Sequence, residues 1–288
     1  MKIHQISTLV SLSFGTLLAF SPSVKAATFQ TNYTSSLSDT DASIGDIWLN
    51  SITQNGKEFN NFSLVTRADI LENTPITAVK ADSTSTPGST NNNTGAASTD
   101  KGDLASAPIS VSGLKDPTGA EIATFLGNSN LNNIIDTEDG GAFKINLFFN
   151  SSIQEDISGL DNLFFWERGM NSDLGIQAID SSGNLIGNFL KLNHKDQADA
   201  GYKIKTTEIG DAQQVGSWGV KLQQLGITSL SGIQLTADAS FNGPDFKLLA
   251  RSSQISPEKV PEPSTTAALG FLAVMAARLL RRKANLMI

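Results

Sequence analysis

Short apolar runs, separated by turn residues, recur along the middle of the chain. From residue 143 to residue 149 every second position is large and apolar, which is the period of a strand with one buried face. Residues 163–166 are apolar at every position, as in a strand that is buried on both faces. Residues 44–65 predict a hairpin, because Asn55-Gly56 separates two apolar arms.

Further strands are predicted at steady spacing toward the C-terminus. They are residues 175–180, 184–192, 204–209, 218–222, 231–236 and 246–250. Between the termini no stretch has a clean 3.6-residue period, although residues 211–225 have room for one helical turn. We therefore expect an all-β domain, an antiparallel and jelly-roll-like β-sandwich.

One internal stretch departs from this pattern. Residues 82–95 contain no large apolar side chain. Such a composition cannot bury a core, so we expect a low-complexity surface loop at 81–107.

The N-terminus predicts a secretory signal peptide at 1–26. Lys2 precedes an apolar core at residues 6–20, Pro22 breaks that core, and Val24-Lys25-Ala26 is a small-x-small cleavage site. The alternative is a retained N-terminal anchor.

The C-terminus predicts a second, different apolar segment. Residues 265–280 are long enough for a short transmembrane helix, and Arg278 near its end can extend toward the basic residues that follow. The flanking residues are Val260, Pro261, Glu262 and Pro263 on one side and Arg281, Arg282 and Lys283 on the other. The basic cluster marks the cytoplasmic side of the membrane.

The order of Pro-Glu-Pro, apolar helix and basic cluster resembles the PEP-CTERM sorting signal. The resemblance implies that exosortase, a membrane-embedded cysteine protease, cuts near the motif and passes the protein to the cell surface or its polysaccharide matrix. Residues 284–288 depart from the pattern, since such signals usually stop soon after the basic cluster. The alternative is a plain single-pass anchor with an accidental Pro-Glu-Pro.

The middle of the chain carries a looser resemblance. Residues 139–143, 163–169 and 243–250 are similar to stretches in a family of cyanobacterial exosortase-dependent surface proteins. This resemblance implies a β domain at the surface or in the matrix. It brings no established activity and no catalytic residues.

Composition excludes several classes of function. Between Ala27 and Pro261 there are 15 Lys and Arg against 27 Asp and Glu, an acidic balance that argues against nucleic acid and anionic lipid surfaces as partners. The chain has no cysteine, so disulfides, thiolate nucleophiles and iron–sulfur clusters are excluded.

Catalytic chemistry finds little support in the residues. A Ser-His-Asp triad would need His194, because His4 leaves with the signal peptide. We expect His194 to be a solvated loop residue instead. A glycoside hydrolase would need two acids, with Glu167 as the first. Trp166 would raise the pKa of Glu167, whereas Arg168 would lower it. We expect no enzyme.

Two binding functions remain as expectations. The turn with Asp136, Glu138 and Asp139 is a weak Ca²⁺ candidate and is otherwise a soluble acidic turn; no other cofactor is expected. A carbohydrate platform would consist of Trp166, Glu167, Arg168, Asn171 and Asp173. Large aromatic side chains fill sandwich cores, so at least two of Trp48, Trp166 and Trp218 are expected inside.

The sequence thus predicts a non-enzymatic protein with a signal peptide (1–26), a β ectodomain (27–259) and a sorting signal (260–283). Its expected partners are the Sec export machinery, exosortase, the membrane and extracellular polysaccharide. Its expected location is a membrane-anchored precursor, then the cell surface or extracellular matrix. The first alternative function is a carbohydrate-binding module that acts on extracellular polysaccharide. The second, less favoured alternative is a glycoside hydrolase.

Overall fold

The computed structural model describes residues 29–38, 41–76, 94–108, 116–206 and 208–252. The strands are β1 (Phe29–Ser35), β2 (Ile47–Gln54), β3 (Lys57–Phe59), β4 (Val65–Asn73), β5 (Ala97–Lys101), β6 (Asn133–Thr137), β7 (Phe143–Gln154), β8 (Leu163–Arg168), β9 (Leu174–Ile179), β10 (Leu185–Leu192), β11 (Ala198–Ile204), β12 (Gln213–Val220), β13 (Ser229–Ala237) and β14 (Phe246–Ala250). The helix, α1, is Gly119–Leu126, and two 3-10 turns cover His194–Asp196 and Leu222–Leu225.

The strands form three antiparallel sheets. Their orders are β1-β2-β3, β10-β9-β13-β7-β4 and β11-β12-β8-β14-β6-β5. One hydrophobic core lies between the five-stranded and six-stranded sheets, and a second lies between the six-stranded and three-stranded sheets. The predicted all-β class is confirmed. The arrangement is sandwich-like, with a third sheet packed on the outer face of the six-stranded sheet.

β8 is apolar on both faces because it lies between these two cores. Phe165 packs in the core shared with the five-stranded sheet, whereas Phe164 and Trp166 pack in the core shared with the three-stranded sheet. Phe29 of β1 meets the Phe164 ring edge-on, with 5.0 Å between ring centroids. All six residues of β8 are buried, as the sequence predicts for 163–166.

The β2–β3 hairpin turns at Asn55-Gly56, as predicted. Both residues have positive φ, 51° and 74°, a conformation that Asn and Gly tolerate best. The second arm is shorter than expected, because β3 ends at Phe59 and Phe62 packs against the second core from a loop. Val65 then begins β4, which belongs to the five-stranded sheet.

The prediction of a surface loop over 81–107 is wrong in its second half. β5 lies there, forms an edge of the six-stranded sheet and is buried at all five residues. Its polar composition is compatible with burial because its side chains are hydrogen-bonded: Asp100 to Arg168, and the Lys101 ammonium to two backbone carbonyls. Residues 81–93 lie outside the described residues.

The hydrophobic period did not predict α1. The signal for it is a capping box, in which the Glu121 amide approaches Thr118 Oγ1 and the Thr118 amide donates to Glu121 Oε2. The helix packs closely on β4, where a Cβ on Gly119 would lie 2.1 Å from the carbonyl oxygen of Ala68. Glycine at this position therefore permits the contact.

Of two further predictions in the C-terminal half, one is wrong and one is confirmed. The strand predicted at 204–209 is wrong, because β11 lies earlier in the chain and ends at Ile204. In β11 the alternate residues Ala200, Tyr202 and Ile204 point into the second core. The helical turn predicted within 211–225 is confirmed by the 3-10 turn at Leu222–Leu225.

The predicted signal peptide at 1–26 and sorting signal at 260–283, with its helix at 265–280, lie outside the described residues. So do both ends of the predicted ectodomain at 27 and 259. Within the described ranges, no helix has the length and hydrophobicity that crossing a membrane requires.

Candidate functional site

The end of β8 places three residues of the predicted carbohydrate platform inside the domain. Trp166 is 1% exposed, Glu167 0% and Arg168 4%. The Trp166 indole nitrogen donates to Thr31 Oγ1 of β1 at 2.9 Å. The predicted platform at Trp166 is therefore wrong, because the three-stranded sheet covers that face of β8.

The tryptophans otherwise follow the expectation that at least two are in the core. Trp218 is fully buried like Trp166, and its indole nitrogen donates to the carbonyl of Asn193 at 3.0 Å. Trp48 on β2 is 40% exposed.

Arg168 is the centre of a buried group defined as the Arg168 cluster: Arg168, Asp100, Asp136, Thr206 and Asp245. The guanidinium donates to Asp245 Oδ2 from Nε at 3.1 Å and from Nη2 at 2.8 Å. Nη1 donates to Asp100 Oδ2 at 3.2 Å and to Thr206 Oγ1 at 2.7 Å, and Nη2 also donates to Asp136. The partners lie on β5, on β6, after β11 and before β14. The cluster therefore joins four segments around one end of β8.

The Arg168 cluster holds more carboxyl groups than the guanidinium can balance. Burial raises the pKa of Asp100 to about 6, and the nearby charge of Asp136 adds to the rise. Burial also opposes ionisation of Asp136, but the charge of Arg168 and the hydrogen bonds from Asp245, Glu208 and Arg168 together hold the Asp136 pKa below its usual range. Burial and the neighbouring carboxylates raise the pKa of Glu208, which is hydrogen-bonded to Asp136, to about 10. Glu208 is therefore protonated at neutral pH and adds no further negative charge beside the Arg168 cluster.

A cation is the other means of balancing this charge. Asp100, Asp136 and Glu208 each offer one carboxylate oxygen, and these oxygens lie within 4.8 Å of one another. Three oxygens are half or fewer of the six to eight that Ca²⁺ takes, and the guanidinium already binds two of the three groups. Of the turn predicted for calcium, only Asp136 belongs to this set; Glu138 is half-buried nearby and Asp139 is exposed.

Glu167 points to the opposite face of β8, because successive strand residues alternate. Its Oε2 accepts from Gln197 Nε2 at 3.0 Å, and its buried Oε1 has no hydrogen-bond partner among the described residues. Burial raises the Glu167 pKa to about 8, so the carboxyl group is protonated at neutral pH. Gly216 lies opposite Glu167 on β12, and a Cβ there would lie 2.0 Å from Gln197 Oε1. The glycine leaves Gln197 the space to reach Glu167.

The last two residues of the predicted platform lie in the turn after β8. Asn171 is exposed, whereas Asp173 accepts from the Lys191 ammonium at 2.8 Å and contacts His194 Nδ1 at 2.7 Å. His194 lies in the 3-10 turn after β10 with its side chain 36% exposed, as expected of a solvated loop residue, and Asp173 contacts its ring. Within the described residues no serine hydroxyl bonds to His194, so the pair does not form a Ser-His-Asp triad.

Sequence reasoning missed most of the Arg168 cluster. Asp100 and Asp245 lie 68 and 77 positions from Arg168, and neither belongs to a local motif that predicts an ion pair. Asp100 also falls in the stretch that composition assigns to a loop. An indirect signal was Arg168 itself, since an arginine at the end of a fully buried strand requires carboxylate partners.

No protein-family model, curated protein or solved structure matches this chain. The residues themselves are therefore the basis for assigning chemistry. The Arg168 cluster and Glu167 lie within the packed sheets rather than in a cleft, and their hydrogen bonds stabilise the six-stranded sheet. Structural ion-pair networks also perturb pKa values, so the shifted pKa values here do not by themselves identify an active site.

Proposed function

We propose that this chain is a non-enzymatic exported protein of the cell surface or extracellular matrix, sorted and processed by an exosortase. The observation that carries the proposal is the pair of predicted targeting segments at the two ends of the chain. The N-terminal one is the predicted signal peptide at 1–26. The C-terminal one consists, in this order, of Val260-Pro261-Glu262-Pro263, the apolar residues 265–280 and the basic cluster Arg281-Arg282-Lys283. The domain between the signals supports the proposal, because it packs two hydrophobic cores in a chain without cysteine.

The burial of the acidic groups supports the absence of an enzymatic role. Hydrolysis of a glycoside needs two carboxyl groups that flank a bound sugar chain. Glu167 is sealed between sheets, and Arg168, its sequence neighbour, is occupied by Asp100, Asp136 and Asp245. A polymer substrate has no access to Glu167 in this arrangement.

Replacement of the motif tests the sorting proposal. We would express the full chain in a host with an exosortase, with Pro261→Ala and Pro263→Ala together, and measure location and mass. The matched control is Pro257→Ala, which alters the Pro257-Glu258 pair just ahead of the motif. The wild type and control should reach the surface in shortened form, whereas the double variant should remain in the membrane at full mass. Identical location and mass in all three would remove the proposal.

We also assign the domain to the jelly-roll class, in which the strands of two sheets interleave as two Greek keys. The supporting observation is the path of the chain between the sheets. In the six-stranded sheet β14 inserts between β6 and β8, and in the five-stranded sheet β13 inserts between β7 and β9. The remaining strands extend the edges of these sheets or form the third sheet.

Carbohydrate binding is the second candidate function. Trp166 cannot provide it, because the three-stranded sheet covers its ring. Trp48 of β2 is the tryptophan that stays accessible, at 40% exposure, and its ring offers a flat apolar surface on which a sugar can stack.

A further inference from the structure

Trp48 lies on the outer face of the three-stranded sheet. The inner face of this sheet packs on the second hydrophobic core, through Phe29, Leu49 and Ile52 among others. Side chains alternate along a strand, so the residues between these point the other way. We define the Trp48 face as the outward positions of β1, β2 and β3, which are Gln30, Asn32, Thr34, Trp48, Asn50, Ser51, Thr53 and Glu58.

Most of the Trp48 face is accessible to solvent. Trp48 is 40% exposed, and the other exposed members are Gln30, Thr34, Asn50 and Glu58. Asn32 and Thr53 are partly exposed, whereas Ser51 is buried at 5%. A ligand on this face would therefore touch side chains of all three strands.

Trp48 differs from the two buried tryptophans in its indole nitrogen as well as in its exposure. Trp166 and Trp218 each donate an indole hydrogen bond inside the domain, whereas the Trp48 indole has no hydrogen-bond partner among the described residues. A single exposed apolar side chain is common on protein surfaces and does not mark a site. The argument therefore depends on the polar groups that surround the ring.

A β-bulge brings one of these polar groups to Trp48. The pairing of β1 with β2 shifts by one residue between Asn32 and Tyr33, so Asn50 is an extra residue of β2. Asn50 Nδ2 donates at 2.7 Å to Oγ1 of Thr34, the residue directly opposite Trp48. The bulge thus holds a carboxamide beside the indole ring, and Asn50 Oδ1 has no partner in the described part of the chain.

Asn32 supplies a second oriented carboxamide on the same face. Its Nδ2 donates to Ser51 Oγ at 3.0 Å and to Thr53 Oγ1 at 2.9 Å, which uses both amide hydrogens. Its Oδ1 has no partner among the described residues and is not one of the fully enclosed unpaired atoms, so it keeps contact with solvent. Carboxamide oxygens of this kind accept hydrogen bonds from hydroxyl groups.

The polar positions of β1 extend away from the ring in a line. Thr34, Asn32 and Gln30 are alternate residues of the strand, so the line is about 13 Å long at about 3.4 Å per residue. Beside a stacking ring, this length matches a short run of sugar units better than a single sugar. Ring surface next to fixed polar groups suits the apolar faces and hydroxyl edges of a sugar.

The charge on the Trp48 face disfavours an acidic ligand. Glu58 is its one charged member, and none of the outward positions is lysine or arginine. An anionic polymer would meet a carboxylate there and no cation. The electrostatic match is therefore a neutral ligand.

We propose that the Trp48 face binds a neutral, hydroxyl-rich polysaccharide, with one sugar ring stacked on Trp48 and the next units along β1. The carboxamide oxygens of Asn50 and Asn32 accept hydrogen bonds from the sugar hydroxyl groups. The inference rests on the second candidate function, carbohydrate binding, and assigns it a surface and a class of ligand.

Binding of the purified full chain, in mild detergent, to insoluble cellulose, mannan and amylose tests the proposal, with alginate as an anionic comparator. Trp48→Ala should weaken binding at least about tenfold, as loss of a central aromatic anchor does. Asn50→Ala should weaken it by about twofold to tenfold, the value of one hydrogen bond. The matched control is Phe189→Ala, which removes an aromatic ring that is 50% exposed on β10 of the five-stranded sheet and should bind as wild type does.

Tryptophan fluorescence gives a second readout with soluble hexasaccharides of the same three polymers. The hexasaccharide of the polymer that binds should change the emission of the wild type, because Trp48 is accessible while Trp166 and Trp218 are enclosed. Trp48→Phe should keep part of the binding and lose the change in emission. Thermal melting of each variant separates loss of the surface from loss of the fold.

Wild type that binds none of the neutral polymers, or only alginate, would overturn the inference. Binding that Trp48→Ala leaves at wild-type strength would also overturn it, while the second candidate function would survive at another surface. The Pro261→Ala, Pro263→Ala chain should bind as wild type does, because the Trp48 face lies in the β domain. Failure of sorting and failure of binding are therefore distinguishable.

Discussion

Glu167 and Arg168 are adjacent in the chain, yet they serve opposite faces of the six-stranded sheet. Arg168 gathers Asp100, Asp136 and Asp245 on one face, whereas Glu167 meets Gln197 on the other. Both side chains are buried, and they differ in charge state, because Arg168 has carboxylate partners and Glu167 has an amide. The stability of this end of the domain therefore depends on one retained charge and one retained proton.

Replacement of Arg168 by methionine should destabilise the domain strongly. The change leaves buried carboxylates without their cation, which costs about 3 to 5 kcal/mol in comparable buried pairs. Urea unfolding at pH 7 measures the loss, and the loss should shrink at pH 4 as the carboxyl groups take up protons. Arg67→Met, at an exposed arginine paired with Asp69, is the control and should cost under about 1 kcal/mol. Equal losses in the two variants would contradict the buried role of Arg168.

The free energy of unfolding should fall as pH rises through the titration range of Glu167. Its pKa is raised from 4.5 to about 8 in the folded state, so the folded state retains a proton that the unfolded state has released. Stability is complete below the unfolded pKa and declines toward pH 8, by at most about 1.4 kcal/mol per pH unit for one proton. Glu167→Gln has no such proton.

Chemical denaturation between about pH 5 and pH 8 measures how steeply the free energy of unfolding depends on pH in each variant. The slope should be shallower in Glu167→Gln than in wild type. Glu72→Gln, at an exposed glutamate of β4, should leave the slope unchanged. A wild-type slope retained in Glu167→Gln would show that Glu167 is ionised in the fold.

Gly119→Ala should destabilise the domain, although alanine is the better helix former by about 1 kcal/mol. The added Cβ would lie 2.1 Å from the carbonyl oxygen of Ala68, so α1 has to move away from β4. We expect a loss of about 1 to 3 kcal/mol by thermal unfolding. Ala120→Ser, at the next and exposed position, should stay within about 0.5 kcal/mol. A raised melting temperature in Gly119→Ala would disprove the close contact.

Calcium should leave the melting temperature unchanged. Glu208, whose pKa is about 10, is protonated and adds no charge near Asp100 and Asp136, and among the described residues three acidic groups converge there, fewer than the six to eight oxygens that Ca²⁺ takes. The test compares the melting temperature in excess EDTA, which removes Ca²⁺, with the melting temperature in about 1 mM Ca²⁺. A rise with Ca²⁺ that Glu208→Gln abolishes would instead establish a cation site.

The sequence predicts the elements whose signal is local. Asn55-Gly56 places the first hairpin, and the apolar run of 163–166 identifies β8 as the central strand, because backbone preference and hydrophobic period act within a few residues. The capping box at Thr118 and Glu121 is an equally local signal for α1. Hydrophobic period alone overlooks it, since the helix has only eight residues.

Long-range pairing sets the limit of such predictions. β5 is polar after Ala97, and it is a buried strand because it pairs with β6 and because Arg168, 68 positions away, meets Asp100. The placement of Trp166 in an exposed platform failed for the same reason, since a third sheet covers β8.

The mass of the mature protein recovered from the cell surface tests the central proposal most directly. Processing by an exosortase predicts a chain that begins near Ala27 and ends close to Pro261–Pro263, without residues 265–288. The Pro261→Ala, Pro263→Ala variant should keep its full C-terminus and remain in the membrane fraction. A surface-recovered wild-type chain that still ends at Ile288 would contradict the proposal and leave a plain membrane anchor.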